Sequence, residues 1–226
     1  MLPTARPGPE AKRPLPGSSA VATGRQLVAD GSNPSRACAR QCPLSTHCGH
    51  WELSYGPTMQ TAFSLPSVEL DDQDRRFLEQ IEEQGWFDTH VFDEEGALAS
   101  FSYSTGWWFR HRKPELIVFG LRNDVAHDIL WDAYRDIEQG RSLATGVRTS
   151  GVFGNADAYL FPVAKRHYAE HLGWARWFYR GDEFPCLHLI WPDRNGLFPW
   201  ETCFADGDKS VQPDLTEKGW LAELKH

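Results

Sequence analysis

Apolar residues recur at helical spacing in three stretches of the chain and at strand spacing in five. Leu70, Phe77, Leu78 and Ile81 make one stripe over Asp71–Gln84, with Asp71 or Asp72 placed to cap the first turn and Gly85 to end the last. Val125, Ile129, Leu130, Ala133 and Ile137 make a second over Asn123–Gln139, where Asn123 or Asp124 is the expected cap and Gly140 the stop. Tyr168, Leu172, Ala175 and Tyr179 predict a third helix over Lys165–Tyr179.

The strand-like stretches begin with a hairpin, Trp86–Phe92 and Leu98–Thr105, turning at Asp93-Glu94-Glu95-Gly96. Phe101, Tyr103 and Thr105 alternate with Ser100, Ser102 and Ser104, which predicts one core face and one polar face. Glu115–Leu121 is almost continuously apolar and reads as a central strand. Tyr159–Val163 contains Pro162 and reads as an edge strand. Cys186–Trp191 is the fifth, followed by the turn Asp193-Arg194-Asn195-Gly196. Interspersed helices and short strands predict an α+β domain with an antiparallel or mixed sheet of about five strands and three main helices.

That domain is expected to begin at Met59. Residues 1–58 hold eight of the fifteen prolines but only three of the thirty-one acidic residues, and they show no periodicity, so they are expected to form a disordered arm. Upstream sequence read through from a start codon placed too early would give the same break. The arm's six Lys/Arg and three acids give +3, which leaves −11 on residues 59–226. An acidic domain without a basic face argues against nucleic acid and against an anionic membrane as partners. With only Cys186 and Cys203 in the domain, a reducing, cytoplasmic setting is expected. The arm's Cys38, Cys42, His47, Cys48 and His50 could hold zinc, but their spacing matches no common module.

Four segments carry a resemblance. They are Phe101–Gly106 (FSYSTG), Lys113–Leu121 (KPELIVFGL), His171–Tyr179 (HLGWARWFY) and Leu187–Trp200 (LHLIWPDRNGLFPW). In this order they resemble the bacterial family catalogued as domain of unknown function 4262. The resemblance covers roughly residues 70–201 and implies a shared fold without implying an activity. This chain departs from the family pattern at Lys113, where His is usual, at Trp107, where Leu is usual, and at His188, where Gln is usual. The family pattern does not hold both His167 and His171.

The leading expectation for function is a module that binds a small molecule or a protein, with no cofactor. Its surface is expected around Ser102–Arg112 and Trp191–Trp200, drawing on Tyr103, Ser104, Trp107, His111, Glu115, Trp191, Asp193 and Trp200. Trp107 and Trp108 are adjacent in a loop beside Arg110, His111 and Arg112, and if that loop is extended both cannot point inward, which leaves an aromatic exposed beside cations. Glu115 has no evident turn or helix start to cap and is expected to line a pocket with Tyr103, His111 and Trp200. Asp193, opening its turn, is expected to bond the backbone two residues on.

Two enzymatic alternatives stand beside this reading. His167-Tyr168-Ala169-Glu170-His171 places two histidines at i,i+4 with an intervening carboxylate, the layout of a Zn²⁺ hydrolase with Glu170 as base. A third ligand is then needed, and Glu201, Glu217 and Glu223 are the downstream carboxylates considered for it. The run from Tyr103 to Leu121 also bears a loose likeness to flavin split barrels, which would bring FMN. Ser102 or Ser104 with His111 or His127 could pair a nucleophile with a base, although no orienting carboxylate is identifiable.

Overall fold

Two neighbouring strands are buried along their whole length, β3 (Glu115–Phe119) and β6 (Cys186–Ile190), and they pair in parallel at the centre of a mixed sheet. The computed structural model describes residues 59–92, 99–153, 156–204 and 211–225. The arm and its cysteine–histidine cluster fall outside these residues, as does the whole of the first hairpin's turn, Asp93-Glu94-Glu95-Gly96. β1 (Phe87–Val91), β2 (Phe101–Thr105), β4 (Thr149–Phe153) and β5 (Ala156–Pro162) complete the row β1-β2-β3-β6-β5-β4. Every pairing but β3–β6 is antiparallel. The fold is therefore α+β, with six strands rather than five; the short, Gly151-containing β4 carries too weak an alternation to be read from sequence. Among the described residues the strands pair in one row from β1 to β4.

Helices lie on both faces. α1 (Asp72–Gln84) starts at a capping box in which Asp71 accepts from Asp74 N at 2.8 Å and Asp74 accepts from Asp71 N at 3.3 Å. It ends at Gly85, whose φ of 89° favours glycine and whose Cβ position would crowd the Tyr134 hydroxyl. α1 packs Phe77, Leu78 and Ile81 with Tyr103, Ile117 and Phe119 in one core. α3 (Asn123–Glu138) packs Ile129, Leu130, Ala133 and Ile137 with Leu116, Val118, Leu187 and Leu189 in the other.

Several local expectations are corrected. The cap of α3 is Arg122, without a side-chain bond, and Asp124 instead accepts from Val125 N within the first turn. β5 is an interior strand. Its pairing with β4 reaches only Ala158, so Pro162 needs no amide bond on that side. The predicted third helix is broken into a 3-10 turn (Lys165–His167), α4 (Tyr168–His171) and α5 (Gly173–Phe178), separated at Leu172. The serine face of β2 is not solvated. Ser102 and Ser104 are wholly buried under α3, and their hydroxyls find internal partners. A polar alternation marks a separate face, and small hydrogen-bonded side chains let a helix cover it. A last helix, α6 (Trp220–Glu223), brings Trp220 against Trp200.

Candidate metal-binding site

After β5 the chain enters the 3-10 turn and α4, and Tyr168 anchors that turn from within. The Tyr168 ring is buried and its hydroxyl donates to Phe184 O at 3.0 Å. Leu172, wholly buried, fixes the other end. His167 and His171 then lie one turn apart on one side. Their rings are nearly parallel, 26° apart, with centroids at 6.4 Å. Glu170 Oε2 lies 3.7 Å from His171 Nε2.

His167, Glu170 and His171 each present one ligand atom, and the three atoms fall within 4.8 Å of one another. The His171 side chain is only 12% exposed and stands edge-on to Phe101 and Phe119, at 5.3 Å from each, whereas Glu170 is 74% exposed. The group thus has a sheltered base and an open rim. Nε2 of His167 is buried and has no hydrogen-bond partner among the described residues. Such an orphan costs about 1–3 kcal/mol unless something binds it. Burial pushes the pKa of His171 down, Glu170 pulls it up and His167 adds to the downward push. The net effect favours the neutral imidazole, the form that ligates metal.

A further histidine lies behind this turn. His188, on β6, is 1% exposed, and both of its ring nitrogens lack partners among the described residues. Its ring packs on Phe119 at 5.1 Å. Burial holds its pKa down to about 3, with His171 pushing the same way and Asp214 opposing. The sequence signal for His188 is one polar residue inside an otherwise apolar strand. The downstream carboxylates considered for a third ligand are engaged elsewhere or lie on another element. Glu217 pairs with Arg166, Glu201 accepts from Phe198 N, and Glu223 ends α6.

Glu115 sits in a different environment, fully buried at the start of β3. Its Oε1 accepts from Gly106 N and Trp108 N, each at 3.0 Å, and from the Tyr179 hydroxyl. Oε2 accepts from the Ser104 hydroxyl at 2.6 Å. Burial pushes the Glu115 carboxyl pKa up, and these hydrogen bonds pull against it. The donors explain its position. Trp107–His111 is not an extended loop but the short helix α2, and Glu115 satisfies free amides at its start. Gly106 makes the junction, with a φ of 124° and a Cβ position 2.8 Å from Gly85 O. Trp107 turns fully inward, and the half-buried Trp108 meets Arg112, whose Cζ lies 5.4 Å from the ring centroid.

The other residues expected to share a pocket with Glu115 are divided among separate surroundings. Tyr103 belongs to the α1-side core, where its hydroxyl accepts from Trp174 N at 3.1 Å. His111 reaches the Tyr134 hydroxyl on α3 at 3.3 Å. Trp200 stacks on Phe198 at 5.2 Å in a third cluster, beside Tyr159. Trp191 donates its indole N–H to Phe119 O at 2.8 Å, tying β6 to β3. Asp193 Oδ1 accepts from Asn195 N at 2.8 Å and from Leu197 N at 2.9 Å, which closes its turn. Of the proposed nucleophile–base pairs, Ser102 bonds His90 at 2.8 Å, and His127 pairs with Asp88 at 2.9 Å.

Residues 80–205 fit the family described as domain of unknown function 4262. No curated protein and no solved structure matches the chain.

Proposed function

The chain belongs to the domain of unknown function 4262 family, and from that premise we propose that it is a binding module whose ligand is a divalent transition-metal ion. The ion is held by His167, Glu170 and His171. The observation that carries this reading is the convergence of their three ligand atoms within 4.8 Å, one of them on a residue that also has a buried, unpartnered nitrogen. Two imidazoles and a carboxylate suit Zn²⁺. In this reading Glu170 is a ligand. A carboxylate on the ion is not free to act as the general base of a hydrolase, so the site binds rather than cleaves.

The test uses protein purified without a histidine tag, stripped with EDTA and titrated with Zn²⁺ alone. One equivalent is expected to bind, and His167→Ala and His171→Ala are each expected to abolish stoichiometric binding. Absence of stoichiometric Zn²⁺ binding by the unaltered chain would remove the proposal.

A further inference from the structure

We propose that His188 is the third imidazole of this metal centre, so that the bound ion ties α4 to the central strand β6. The inference rests on the metal reading above and adds a ligand that the surface turn alone does not supply.

The argument starts from sheet register. His188 lies opposite Ile117, whose side chain belongs to the α1-side core, while Leu187 and Leu189 point to the α3 side. His188 therefore faces the layer that holds α4. Phe119 connects the two histidines: His171 stands edge-on to its ring at 5.3 Å, and His188 packs on it at 5.1 Å. A buried imidazole with both nitrogens unpartnered is costly in a strand that needs only apolar side chains. A lone water is a poor remedy, because it needs two to four polar partners of its own. The named neighbours of His188 across the strands and at its ring are Ile117, Phe119 and Phe161, and its titratable neighbours are His171 and Asp214.

Metal ligation uses one of those nitrogens directly. His188 stands outside the group whose ligand atoms lie within 4.8 Å, so engagement requires its side chain to move towards α4. The resulting set, His167, Glu170, His171 and His188, fills a tetrahedral shell. A filled shell leaves no position for a substrate or an activated water, which assigns the ion a structural role.

Two measurements test this. The first needs no substitution: ring ¹⁵N shifts of histidine-labelled wild-type protein are followed during Zn²⁺ titration. Shifts at His167, His171 and His188 together are expected. The second replaces Zn²⁺ with Co²⁺, whose visible bands are intense in a four-coordinate tetrahedral site and weak in a six-coordinate one. Intense bands are expected for wild type, and bands changed in position and intensity for His188→Gln, where water takes the place of an imidazole. The same variant should bind Zn²⁺ at least ~10-fold more weakly, since even outer-shell partners of metal ligands are worth 10–100-fold. If only His167 and His171 respond and His188→Gln binds as wild type does, the inference fails and the two-histidine site stands. If no ring responds, both fail.

Discussion

Tyr179, just past α5, donates its hydroxyl to the carboxylate of Glu115 at the start of β3, and the two together accept the amides that open α2. The same hydroxyl accepts from Gly106 N at 3.1 Å and Phe109 N at 3.2 Å. Burial, and the nearby Glu115 charge, push the Tyr179 pKa far up, so the phenol keeps its proton and remains a donor. Glu115 is thus the hub of a hydrogen-bond network linking β2, β3, α2 and the segment after α5.

Glu115→Gln retains the shape but turns an amide N–H₂ towards at least one donor. It is expected to cost roughly 2–3 kcal/mol, because a buried donor is left unsatisfied. Tyr179→Phe should cost roughly 1–3 kcal/mol, and the double variant less than the sum, since both act on one network. Urea denaturation of the three variants reads this directly. Additive losses would show that the two residues act separately.

His188 gives the metal-free protein an acid-sensitive stability. Its pKa falls from 6.5 to about 3 on folding, so between those values the unfolded chain binds more protons than the folded one. Stability from this residue is complete above 6.5 and is lost as pH falls through that window. Lowering the pH from 6.5 to about 4.5 should cost roughly 2–3 kcal/mol at ~1.4 kcal/mol per unit. His171 and Asp214 are the titratable neighbours of His188, acting in opposite directions. The difference between wild type and His188→Gln, measured in EDTA by urea titration at several pH values, should contain this slope. Parallel profiles would contradict it.

Asp193→Ala removes the acceptor for two turn amides and is expected to destabilise by about 1–2 kcal/mol. Asp193→Asn keeps a carbonyl oxygen there and should recover more than half of the loss. Thermal unfolding of the pair distinguishes a closed turn from a dispensable one.

A chain beginning at Met59 is expected to unfold at the same temperature as the full chain. Met59 itself packs on the α1-side core and accepts from Arg112 through its sulfur, so it should be retained. A fall of several degrees on truncation would show that the preceding residues contribute to the domain.

Periodicity made α1 and α3 readable because each buries one regular stripe, and the two central strands were readable as nearly unbroken apolar runs. The capping of α1 by Asp71 and its end at Gly85 were equally readable, since both are local chemistry. The break at Leu172 was not, because the apolar spacing runs on through it while the backbone turns aside. Nor was the role of Glu115. Its partner Tyr179 lies 64 positions away, and the helix it caps has only five residues, too few for a repeat to emerge. The metal candidates at His167 and His171 were visible as a motif, whereas His188 showed as one polar position within an apolar strand and as a departure from the family pattern, with nothing to link it to them.

The single parallel pairing, β3 against β6, has a consequence for synthesis on the ribosome. Glu115 lies opposite Cys186, so β3 emerges from the exit tunnel long before the strand that covers its open edge. Antiparallel β1, β2 and β3 can assemble early through short connections, but that edge, fully apolar from Leu116 to Phe119, must wait for α3, β4, β5, α4 and α5 to be translated. The nascent domain therefore exposes an unpaired hydrophobic strand until β6 has cleared the exit tunnel, and a translational pause before that point would favour aggregation.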